Sequence, residues 1–223
     1  MSSKTNAAFI LISFLLLILT LVSPGMNGVH RWVSVGRFKF NVAFIVLPIM
    51  IIELWKISLV KGFRVAALIT VIISVLLAIQ PDASQLTGFA IPMMVMLCDK
   101  PDKQRLRKYL LGILTILIIF SWVFLDNLPA VAYVENIVSL SASMGLIWLI
   151  ISIISLAILP IPFLLFPPKS FKLPSICVGL YYIIILVSTL FGNFPVPPMG
   201  YGISPIIGYY MSITWYAKSK INS

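Results

Sequence analysis

The residues best suited to chemistry on an anion are the cations of one short segment, Gly28-Val29-His30-Arg31-Trp32-Val33-Ser34-Val35-Gly36-Arg37-Phe38-Lys39-Phe40. Arginine holds a phosphate through a planar fork of N–H donors, and lysine holds it as a point charge. Arg31, Arg37 and Lys39 could together hold a pyrophosphate, with His30 beside them. Three carboxylates fall on the same side of the chain's topology: Asp82, Asp126 and Glu135. A carboxylate next to a bound pyrophosphate could act as general base on a sugar hydroxyl. Asp82 and Glu135 lie near the ends of apolar runs, where ionisable groups are costly and tend to be functional. The set suits a lipid-linked sugar pyrophosphate: the cations hold the leaving group, and Glu135 or Asp82 activates the acceptor. Simpler readings stand beside this one. Arg31 and Trp32 can be interface anchors, Asp82 can cap a helix, and Asp126 and Glu135 can be solvated loop residues.

The elements that must position these groups follow from composition. The chain has 223 residues, is 61% hydrophobic and 10% charged, and has a mean hydropathy of +1.10. Soluble domains carry about 25% charged residues. This composition predicts an integral membrane protein. The apolar runs lack the alternation of barrel strands, so the expected class is all-α, a polytopic bundle of about eight transmembrane helices. The runs are about 7–23, 43–59, 65–80, 83–98, 109–125, 145–166, 173–191 and 199–217. Most approach the ~20 residues needed to cross ~30 Å of hydrocarbon. Gly88 and Pro92 predict a kinked or irregular fourth run. The whole chain, 1–223, reads as one transmembrane domain.

Lys and Arg set the orientation. One side collects Lys4, Lys56, Lys61, Arg64, Lys100, Lys103, Arg105, Arg107, Lys108, Lys169, Lys172, Lys218 and Lys220, and the other only Arg31, Arg37 and Lys39. Both termini are therefore expected in the cytoplasm and the segment at 28–40 outside. The net charge of +10 is accounted for by these loops and does not call for a nucleic-acid partner. The basic loop at 99–108 is expected to meet anionic membrane headgroups. The first run could also be a signal peptide, but its length and the lack of an Ala-x-Ala site favour a retained helix. Glu53 and Lys56, spaced i,i+3, predict a local ion pair. Cys98 and Cys177 read as reduced core residues, and one His with two distant Cys makes no metal cluster. No cofactor motif is present: there is no phosphate-cradling glycine loop and no Gly-x-Ser-x-Gly elbow.

Four segments in order resemble the SEDS family (shape, elongation, division and sporulation), its RodA/FtsW/SpoVE group. Gly28-Val29-His30-Arg31-Trp32 resembles that family's Gly-Ala-x-Arg-Trp loop, and Gln80-Pro81-Asp82 its Gln-Pro-Asp at the start of a span. Leu128-Pro129, followed by Glu135 and Gly145, looks like a shortened form of its large outer loop. Pro195-Val196-Pro197-Pro198-Met199-Gly200-Tyr201-Gly202-Ile203-Ser204 resembles its Pro-Leu-Pro-x-x-Ser-Tyr-Gly-Gly-Ser segment. The core of the resemblance is 28–217, and the chain looks like a member lacking the first two helices and most of the large loop.

The resemblance implies a peptidoglycan glycosyltransferase of the bacterial cytoplasmic membrane, acting on lipid II in cell division or cell-shape control with a penicillin-binding transpeptidase. It implies substrate contacts at Arg31, Trp32, Gln80 and Tyr201, joined by Arg37 and Lys39 from the charge reading, and a catalytic base at Glu135 or Asp82. The chain also departs from the family. The acidic and basic members of the motif after the Arg-Trp loop are Phe44 and Leu47 here, and the loop aspartate falls at Val134 unless one residue is deleted. The alternative is a non-catalytic relative that binds lipid carriers or scaffolds envelope enzymes. A small transporter or flippase is a third class, against which stand the lack of a visible inverted repeat and the few polar groups at mid-membrane.

Overall fold

The computed structural model describes residues 7–25, 28–98, 104–124, 128–200 and 202–221. They form helices α1 (Ala7–Val22), α2 (Val42–Val60), α3 (Phe63–Ile79), α4 (Ala83–Cys98), α5 (Gln104–Val123), α6 (Ile137–Ser143), α7 (Leu146–Ile158), α8 (Ile161–Leu165), α9 (Lys172–Ser188) and α10 (Ile203–Ile221). A 3-10 turn, Lys169–Phe171, leads into α9. Each of the eight apolar runs holds a helical stretch among the described residues. Three helical stretches are long and apolar enough to cross a membrane: Val42–Val60, Gln104–Val123 and Lys169–Ser188. α1, α3, α4 and α7 are apolar but shorter.

The fold departs from a purely helical chain at the basic segment. Trp32–Val35 (β1) and Phe38–Asn41 (β2) pair antiparallel, with Trp32 opposite Asn41 and Val35 opposite Phe38. That register leaves a two-residue turn, Gly36-Arg37. Gly36 has φ 61°, the left-handed conformation glycine adopts without a steric penalty, and glycine at the first turn position is one of the hairpin solutions. Strand side chains alternate between faces, so Val33, Val35, Phe38 and Phe40 share one face and Trp32, Ser34, Lys39 and Asn41 the other.

Asn41 joins three elements. It ends β2, its side-chain oxygen accepts from the Phe44 amide at 3.4 Å to cap α2, and its own amide donates to Ser204 Oγ of α10 at 2.9 Å. α2 is the central helix; Leu47, Met50, Ile51, Ile52 and Leu54 are fully buried. Around it pack α1, α3, α4, α9 and α10. Small residues set two of these helix contacts. A Cβ at Gly208 would collide with the Phe44 carbonyl, so α10 lies against the α2 backbone. At Gly88 a Cβ would come within 2.7 Å of Ile185, so α9 fits where that side chain is missing. α4 runs unbroken from Ala83 to Cys98, through Gly88 and Pro92.

Two boundaries moved for reasons of proline chemistry. The run at 145–166 is broken at Leu159-Pro160 into α7 and α8, since proline lacks the amide that would continue the helix. α10 starts at Ile203, later than the expected 199, because Pro197, Pro198 and Gly200 keep the chain irregular. The Glu53–Lys56 pair forms as expected, Lys56 Nζ to Glu53 Oε1 at 2.6 Å.

Candidate functional site

The site begins where α3 turns into α4. α3 ends at Ile79 and α4 starts at Ala83, leaving Gln80-Pro81-Asp82 as the whole connection. Asp82 caps α4: its Oδ1 accepts from the Gln85 amide at 3.2 Å, which satisfies one of the amides a helix start leaves open. Gln80 turns the other way and donates from Nε2 to the Leu17 carbonyl at 3.0 Å and Thr20 Oγ1 at 2.7 Å, both on α1. The turn is thus pinned to two helices.

Arg31 enters this turn from the residue before β1. Its Nη2 donates to the Pro81 carbonyl at 2.5 Å, and its Nε lies 3.4 Å from Asp82 Oδ2. Both side chains are only 3% exposed. The guanidinium carbon lies 5.7 Å from the centre of the Phe194 ring, a cation–π distance. A charge removed from water needs a close counter-charge and hydrogen bonds, and here the carboxylate, a carbonyl and a ring face supply them. The group as built is a clamp. It fixes the hairpin to the α3–α4 turn and neutralises a buried arginine.

Phe194 extends the site to the chain's later segments. Its ring meets Trp122 edge-on at 5.6 Å, and Trp122 Nε1 donates to Thr87 Oγ1 of α4 at 2.9 Å. Two residues on, the Val196 amide donates to the Val134 carbonyl at 3.3 Å, beside Glu135. Asn193 Nδ2 donates to the Leu128 carbonyl at 3.0 Å. The segments 28–41, 80–82, 128–136 and 193–200, with Ser204 of α10, therefore meet at one end of the bundle.

Of the residues singled out from sequence, the described bonds bring Arg31, Gln80 and Asp82 together. Trp32 opens β1 and is half-buried. Arg37 and Lys39 are exposed at the hairpin's far end, beside exposed Val35 and Phe38. Glu135 is half-buried, and its Oε2 accepts from the Val131 amide at 2.8 Å, closing its own turn. Tyr201 and Asp126 lie outside the described residues. Sequence reasoning missed Phe194 and Trp122. It also missed Gln85, which is fully buried and accepts from the Tyr181 hydroxyl at 2.7 Å. The signal for Gln85 was present as an amide one turn inside an apolar run. No protein-family model matches the chain, and no curated protein is significantly similar to it.

Proposed function

We propose that the chain is a SEDS-like, multi-pass protein of the bacterial cytoplasmic membrane that recognises a lipid-linked sugar pyrophosphate at its outer face. In this reading about eight helices span the bilayer, both termini are cytoplasmic and the hairpin end is outside. One observation carries it: the segments that resemble the family, far apart in sequence, converge on Arg31, Asp82 and Phe194. Arg31 then acts as a positioning residue. Arg37 and Lys39, exposed next to Val35 and Phe38, are the cations offered to a pyrophosphate at headgroup level.

The non-catalytic form of this reading has specific support. Asp82 holds Arg31 and caps α4, and the Glu135 carboxylate closes a turn. A general base must reach the proton it removes; Asp82 is buried against Arg31, and one Glu135 oxygen is engaged by the Val131 amide. Binding of the lipid-linked donor is therefore the core of the proposal, and polymerisation into peptidoglycan strands with a transpeptidase partner its extension.

The test supplies purified protein with a fluorescent lipid II. Binding is expected, and it falls about thirtyfold in Arg37→Gln/Lys39→Gln, as about 1 kcal/mol for each of the two cations implies. No binding by the wild type would overturn the proposal. Glycan chains made with a penicillin-binding partner, and lost in Glu135→Gln, would establish the enzyme. Binding without chains establishes the non-catalytic form.

A further inference from the structure

At the opposite end of the bundle, a groove of about 1000 Å³ opens between α3 and α5. Arg64, Gln104 and Arg105 line its mouth, and Leu68 and Val71 of α3 face Leu110 and Ile113 of α5 along its walls. Both arginines are exposed. Among the described residues neither has a hydrogen-bond or ion-pair partner. Arg107, two residues along, is different: its Nη1 donates to the Cys98 carbonyl at the end of α4, at 3.1 Å. The first turn of α3 begins at Gly62 with no side-chain cap, so its open amides add positive potential at the same mouth.

We infer that this groove binds an anionic glycerophospholipid, with the phosphate between Arg64 and Arg105 and one acyl chain along the α3–α5 walls. The depth of the walls selects a lipid over a soluble anion. From Arg105 to Ile113 the helix descends about 12 Å, well past the reach of a phosphate and lined by apolar side chains. The exposure of those walls agrees, since Leu68 is 62% and Ile113 43% exposed. α5 itself is mostly uncovered, with 17% of its apolar window buried. A lipid chain would be its neighbour on this side, and the arginines would select the headgroup. Nothing in this inference depends on what the hairpin end binds.

The experiment is native mass spectrometry of the full-length protein released from detergent with phosphatidylglycerol or phosphatidylcholine of matched chains. Phosphatidylglycerol is expected to be retained about thirtyfold more, from about 1 kcal/mol for each of the two arginines. Arg64→Gln/Arg105→Gln should reduce retention to the phosphatidylcholine level, and Lys218→Gln/Lys220→Gln should leave it unchanged. Leu68→Trp/Ile113→Trp, which fills the groove and keeps both arginines, should also abolish the preference. Full retention in either groove variant, or displacement by millimolar inorganic phosphate alone, would overturn the assignment.

Discussion

Two arginine sites, one at each end of the bundle, carry their charge in opposite ways. At the hairpin end Arg31 and Asp82 are buried against each other and against backbone groups. At the other end Arg64 and Arg105 stand exposed over an apolar groove. A buried charge has few possible partners, so it fixes geometry; an exposed charge keeps its hydration and contributes to affinity. The difference teaches that the most conspicuous arginine of the sequence is the least available to a ligand.

The largest effect should come from splitting the buried pair. Arg31→Met leaves Asp82 without its counter-charge and should destabilise by about 3–5 kcal/mol, measured by denaturant unfolding in detergent. Arg31→Met/Asp82→Leu removes both charges and should regain at least half of that loss. A double variant as unstable as the single one would mean that the pair does not organise this end. Next, Gly208→Ala places a methyl group on the Phe44 carbonyl and should cost about 2 kcal/mol in the same assay. An unchanged stability there would show that α10 is not held close to α2. Gln80→Leu loses two hydrogen bonds to α1 and should cost about 1 kcal/mol, with faster proteolysis of α1 as a second readout. The smallest effects belong to the exposed cations. Arg64→Gln/Arg105→Gln and Arg37→Gln/Lys39→Gln should each change stability by no more than about 0.5 kcal/mol in neutral detergent. A loss of several kcal/mol in either would erase the contrast between buried and exposed charge.

How much of this was legible in the sequence depends on the range of the interaction. Helix positions were, because a run of apolar residues is a local signal, and α4 matches its expected span of 83–98. The Glu53–Lys56 pair was, because i,i+3 neighbours face each other. The hairpin was within reach and missed. Val33-Ser34-Val35 and Phe38-Lys39-Phe40 alternate about a glycine, a period-two pattern that a charge-first reading took for a loop. The break at Leu159-Pro160 was marked by its proline and hidden by unbroken hydropathy. What could not be read was the pairing of Arg31 with the Gln-Pro-Asp turn, or of Asn41 with Ser204 across 163 residues. Both depend on how helices pack, and hydropathy carries no information on which polar groups packing will join.

The clamp also has a history within each molecule. Arg31 donates to a carbonyl 50 residues further along the chain. At a synthesis rate of about 5–20 residues per second, roughly 3–10 seconds separate the arginine from its partner. During that interval the guanidinium lacks both the Pro81 carbonyl and the Asp82 carboxylate, so the hairpin has nothing at this turn to lock onto. It can take its final place only after α3 and the Gln-Pro-Asp turn have been made. The clamp thus imposes an order on assembly, in which the hairpin is locked only once the α3–α4 turn exists.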